Sequence, residues 1–88
     1  MRGLRAETTN VPSPPAAFTP RELSCLERLV SGLTDQEIAR DLSIAHGTVR
    51  FHLEGARRKV GARSRTHLAA LAVALGVARP QKSQRARD

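Results

Sequence analysis

Two Thr-x-x-Glu boxes, Thr19-Pro20-Arg21-Glu22 and Thr34-Asp35-Gln36-Glu37, dictate where helices begin in this chain. In such a box the threonine hydroxyl accepts from the amide three residues on, and the glutamate carboxylate accepts from the threonine amide, so two orphan donors are satisfied together. Pro20 at the first helical position reinforces the first start, and Gly32 closes that helix. The punctuation predicts helices over about 20–31 and 35–41. Farther on, a helix over 46–60 ends at Gly61 as a left-handed cap, and Ser64 starts a fourth over 65–75, closed by Gly76. No segment alternates with the period of two that a half-buried strand requires. The expected fold is all-α, a four-helix bundle containing a helix-turn-helix.

The third helix is divided lengthwise. Wound at about 100° per residue, Val49, Leu53, Ala56 and Val60 form one apolar stripe, while Gly47, Arg50, Phe51, Glu54 and Arg58 fall opposite. Leu42-Ser43-Ile44 joins it to the second helix by a gap short enough for a crossed pair. Such a helix can pack with one side and enter the major groove of duplex DNA with the other.

Charge supports that partner. Net charge is +7, but residues 18–45 carry three arginines against five acids, whereas 46–65 carry six basic residues against Glu54 alone. One basic half beside a weakly acidic half is the footprint of a polyanion binder. Cys25 is the single cysteine, which excludes an intrachain disulfide and a cysteine zinc site and fits a reducing compartment. His46, His52 and His67 lack the spacing of metal ligands, so neither metal nor cofactor is expected. The longest uncharged run, Thr66 to Ala78, is too short to span a bilayer, and the N-terminus has no apolar signal core. The expectation is a cytoplasmic protein. Residues 1–17, with three prolines, read as a disordered arm or linker, 18–77 as the folded domain, and 78–88 as a basic flexible tail.

Within the third helix, Arg50 either presents two parallel donors to guanine O6 and N7 or contacts a phosphate. Phe51 on the same face either meets a thymine methyl or packs on a neighbouring loop. Glu54 either accepts from cytosine N4 or pairs with Arg50 or Arg58 four residues away. Thr48, Arg57, Arg58 and Lys59 suit phosphate anchoring. His52, on the flank, donates to a phosphate or fills space. Thr34 and Gln36 open the second helix, whose N-terminal dipole can hold a phosphate, although capping alone accounts for Thr34. Arg63 and Arg65 beside Gly61 are loop charges within reach of the backbone. In the fourth helix Leu68, Leu71, Ala72 and Leu75 form an apolar face, yet Ala69, Ala70, Val73 and Ala74 leave the remainder uncharged. A helix apolar all round is covered on more than one side. Leu68, Ala69, Leu71, Ala72, Val73 and Leu75 therefore form a candidate homodimer interface, set against plain alanine-rich helix propensity.

With those residues laid out, the chain resembles the LuxR/GerE-type DNA-binding domain of bacterial transcription regulators. The resemblance is carried over residues 18–77 by FTPRE at 18–22, GLTDQEIARDLSI at 32–44, GTVRFHL at 47–53 and RRKVGARSRT at 57–66. It implies a four-helix domain whose third helix enters the major groove and whose fourth pairs two subunits. By motif position it places base contacts on Arg50, Phe51 and Glu54, and backbone contacts near Thr48 and His52. Three residues depart from the family pattern: Ala45 stands where serine often caps the third helix, Ser43 where glycine is frequent, and Glu54 where a basic or small polar residue is common. The Phe51-His52 pair and the Arg65-Thr66-His67 run look closest to the acyl-homoserine-lactone receptor branch, in which a ligand-binding domain precedes the DNA-binding one. Residues 1–17 are then either part of an interdomain linker or the start of a short regulator.

The function expected is sequence-specific transcriptional regulation as a homodimer on a two-fold-symmetric promoter site, with double-stranded DNA as partner and a surface for RNA polymerase if the protein activates. A sigma-factor region-four-like module shares the helix-turn-helix, but the fourth helix and its ARSRT entry argue against it. A protein-interaction module using the fourth helix is the other alternative. An enzyme is not expected, because no paired carboxylates, activated nucleophile or phosphate-cradling glycine loop is present.

Overall fold

The computed structural model describes residues 18–81, arranged as α1 (Pro20–Val30), α2 (Asp35–Leu42), α3 (His46–Val60) and α4 (Arg65–Ala74). All four helices lie where the punctuation put them, to within a residue at each end, and no strand occurs among the described residues. Both Thr-x-x-Glu boxes are formed. The Glu22 amide donates to Thr19 Oγ1 at 3.0 Å and the Thr19 amide to Glu22 Oε1 at 2.9 Å, and Thr34 and Glu37 repeat the pattern at 3.1 and 2.8 Å.

The helices end alike. Gly32, Ser43, Gly61 and Gly76 take positive φ, and the residue after each sends its amide back to a carbonyl in the last turn: Leu33 to Arg28, Ile44 to Ala39, Ala62 to Arg57 and Val77 to Ala72. Those four residues are apolar and lie in or against the core, so each turn stops a helix and starts the next from a buried anchor. Ser43 is the only non-glycine among the four, at φ 58° and ψ 46°. Its Cβ makes that conformation cost about 1 kcal/mol.

The core is a single cluster to which every helix contributes: Cys25 and Leu26 from α1, Ile38 and Ala39 from α2, Val49, Leu53 and Ala56 from α3, and Leu68 and Ala72 from α4. Leu75, just past the end of α4, is exposed. Two polar ties brace the helix ends. Arg28 in α1 grips Asp41 in α2 and the Ser24 carbonyl, and Arg65 Nη1 at the start of α4 lies 2.6 Å from Asp35 Oδ1 at the start of α2. Arg65 is thus a structural clamp rather than a loop charge.

Two residues of the stretch expected as a tail from residue 78 are held against the domain. Ala78 is buried and the Gln81 amide donates to Ser31 Oγ at 2.9 Å, so the chain runs back along the end of α1 before leaving the described region. The expected arm at 1–17 and the tail at 82–88 lie outside the described residues.

Ala45 caps α3 without a side-chain hydrogen bond. Ala45→Ser is expected to raise the stability of the domain by about 1 kcal/mol by satisfying an amide of the first turn. A urea midpoint equal to that of the parent would show that the amide gains nothing from the hydroxyl.

Candidate nucleic-acid interface

The division of α3 read from periodicity is present in three dimensions. Val49, Leu53 and Ala56 are fully buried, Val60 packs partly against them, and Gly47, Arg50, Phe51, Glu54 and Arg58 face solvent. Phe51 is 70% exposed, an unusual position for a phenyl ring, and its edge meets His52 with ring centroids 5.5 Å apart. Among the described residues the aromatic partner of that ring is His52 of its own helix. Arg50 is exposed and makes no hydrogen bond or ion pair among the described residues. An arginine with all its donors free, one residue from an exposed aromatic ring, is equipped to bind something outside the chain.

The other cations of this half are less free. Arg57 donates Nε and Nη2 to the Glu54 carboxylate, with Nη2 to Oε2 at 2.6 Å, and Nη1 to the carbonyl of buried Ala62 at 2.7 Å. Glu54 therefore pairs chiefly with Arg57 at i+3; Arg58 Nη1 lies 3.6 Å away and Arg50 is not a partner. The hydrogen bond from Arg57 holds the Glu54 carboxyl below its ordinary range, and the charges of Arg57 and Arg58 act in the same direction. The carboxylate expected to read cytosine thus already has a partner. Arg58, 63% exposed, remains available.

Lys59, expected at a phosphate, is an exposed residue whose ammonium lies 2.6 Å from Glu22 Oε1 and 5.9 Å over the ring of Phe18. Burial pushes the Glu22 carboxyl up, but hydrogen bonds from Lys59 and the Thr19 amide, with the charges of Lys59 and His52, outweigh it and hold the group below its ordinary value. Gly55 completes the arrangement, because a Cβ there would stand 2.7 Å from Glu22 Oε2. Sequence reasoning took Glu22 only as a cap of the first helix and did not single out Gly55. The available signal was a glycine inside a helix, where it costs about 1 kcal/mol relative to alanine unless a close approach requires it.

Thr34 and Gln36 are exposed at the start of α2, while Thr48 and His52 are half-buried on the flanks of α3. Among the described residues no cluster of potential metal ligands exists, and no helix is long and apolar enough to cross a membrane.

Residues 16–72 match the GerE family, described as bacterial regulatory proteins of the luxR family. The chain belongs to that family. It is 45% identical over 60 residues to the quorum sensing-dependent transcriptional regulator VjbR of Brucella ovis, covering 68% of this chain and 23% of that protein. It is 35% identical over 74 residues to the regulatory protein SdiA of Escherichia coli K12, and 41% over 76 residues to the quorum sensing-dependent regulator RpaR of Rhodopseudomonas palustris. The latter two matches cover 84% and 86% of this chain and 31% of each relative. The chain thus spans about a quarter to a third of the length of these curated relatives.

The luxR-family fold also sorts α4. Leu68 and Ala72 are buried inside this chain's own core, so they cannot belong to an intersubunit surface as expected. Their side chains lie on the stripe that meets α1 and α3. Val73 is 45% exposed and Leu75 37%, and Ala69 and Leu71 are half-buried.

Proposed function

We propose that this luxR-family domain is a sequence-specific DNA-binding transcriptional regulator that places α3 in the major groove. The observation that carries the reading is the pairing of a free Arg50 with a 70% exposed Phe51 on the outer face of a helix whose inner face is fully buried. A helix held by its inner stripe is rigid enough to present a guanidinium in the fixed geometry that guanine O6 and N7 require. Phe51 supplies apolar contact to a thymine methyl. Thr34, Gln36, Thr48, His52 and Arg58 surround this pair as phosphate contacts, with Arg57 contributing only if Glu54 releases it. Lys59 has no place in the set. Two copies joined through Val73, Leu75, Ala69 and Leu71 would set two recognition helices about 34–36 Å apart on a two-fold-symmetric promoter site in the cytoplasm. The names of the relatives, all transcriptional or regulatory proteins, support the same reading.

Selection of binding sites from random duplex DNA, with Arg50→Ala carried in parallel, tests the proposal. The variant is expected to lose preference at one base pair per half-site, by about 1–3 kcal/mol of discrimination. Uniform weakening across all sequences would make Arg50 a backbone contact, and sedimentation showing only monomer on the selected palindrome would remove the dimer.

A further inference from the structure

Six cations lie between residues 46 and 65, yet three donate hydrogen bonds to carboxylates of the same chain, Arg57 to Glu54, Lys59 to Glu22 and Arg65 to Asp35, and Arg58 lies 3.6 Å from Glu54 as well. The Glu22–Lys59 pair differs from the other two in its burial. The Glu22 side chain is 9% exposed, that of Glu54 47% and that of Asp35 21%. An exposed pair exchanges its partner for a phosphate at little loss. A cation leaving a nearly buried carboxylate strands that charge without water to replace it. Glu22 is also fixed in place, its Oε1 accepting from both the Thr19 amide and Lys59 Nζ and its Oε2 lying against the bare Cα of Gly55. Lys59 is held from a second side by the Phe18 ring.

We infer that Glu22 is an affinity-setting positioning residue: by withholding Lys59 from the phosphate backbone, it lowers sequence-independent affinity for DNA without itself touching DNA. The inference rests on the reading of α3 as a DNA-binding helix. Every phosphate contact strengthens binding to all sequences alike, so a cation held by a carboxylate subtracts from binding to every sequence and leaves base readout by Arg50 intact. The charge removed is one that composition alone counts as available, since Lys59 stands among the basic residues at the end of α3.

The test compares the full chain with Glu22→Gln, Lys59→Gln and the double variant, on a selected site and on unrelated duplex DNA, as log affinity against log salt concentration. Glutamine keeps the acceptor of the capping box, so α1 retains its start, which circular dichroism checks. Glu22→Gln is expected to steepen the slope on both DNAs by about 0.9, roughly a 3.5-fold greater loss of affinity between 50 and 200 mM salt, and to leave the ratio of specific to non-specific binding unchanged. Lys59→Gln is expected to keep the parental slope, and the double variant to return to it. A merely structural role would weaken both DNAs in parallel and leave the slopes unmoved, which overturns the inference. So does a slope flattened by about 0.9 in Lys59→Gln alone, because Lys59 would then be a phosphate contact in the parent. That measurement decides even if Glu22→Gln fails to fold. If the parent binds DNA with a salt-dependent slope and Arg50→Ala relaxes its preference, failure of the Glu22 arm leaves the DNA-binding reading standing. A parent indifferent to salt overturns both.

Discussion

Leu53→Ala is expected to remove a large fraction of the stability of the domain. Leu53 is fully buried at the middle of α3, among Leu26, Ile38, Val49 and Leu68, which are as completely enclosed. Truncating such a leucine costs about 2–5 kcal/mol, partly in lost transfer energy and partly in the cavity left behind. The described fold of 18–81 is small, and at about 0.05–0.15 kcal/mol per residue its whole stability is roughly 3–10 kcal/mol. One side chain therefore removes a large fraction of the total. Urea unfolding followed by circular dichroism measures the loss; a midpoint within a few tenths of a molar of the parent would show that the site collapses around the deletion. Phe51→Ala, two residues away on the outer face, is the matching control. It should keep the midpoint while weakening DNA binding, because the ring's burial in the free chain is slight.

Gly55→Ala is expected to destabilise the domain although it places a better helix former in the middle of a helix. Propensity favours alanine by about 1 kcal/mol. Against that, the new Cβ would lie 2.7 Å from Glu22 Oε2, and the carboxylate cannot yield freely because the Thr19 amide and Lys59 Nζ hold its other oxygen. Displacing it loosens the cap of α1, at about 1 kcal/mol, and breaks an ion pair whose acid is nearly buried, at about 1–3 kcal/mol after allowance for the partly exposed lysine. The two losses outweigh the gain, and the expected net change is about 1–3 kcal/mol towards unfolding. The same displacement frees Lys59, so the variant should also bind unrelated DNA with a steeper salt dependence. A variant more stable than the parent would mean that Glu22 finds an equivalent seat.

How far the sequence discloses the molecule depends on the range of the interaction concerned. The helices are legible because their signals are local: Thr19 and Thr34 each bond within their own first turn, and Gly32, Gly61 and Gly76 act on the residues beside them. The split of α3 into a buried and an open face is legible for the same reason, since periodicity within one helix decides it. The partners of the charged side chains are not. Lys59 and Glu22 are far apart in the chain, as are Arg65 and Asp35, and nothing local distinguishes a cation that will meet a carboxylate across the bundle from one that will meet water. Leu68 and Ala72 illustrate the same limit in apolar form. A helix without charges shows that two of its sides are covered, but which leucine faces inward follows only once α1 and α3 are in place. Ser43 lies between these cases: its turn is foreseeable, but its left-handed backbone becomes evident only from the angle itself.

Phe18, the first described residue, is buried at 7% exposure, and the ammonium of Lys59 near the far end of α3 stands over its ring. The point where the polypeptide enters the bundle is therefore also a bearing for the reading helix. A substitution that shrinks the Phe18 ring also removes the surface over which the Lys59 ammonium stands in the last turn of α3.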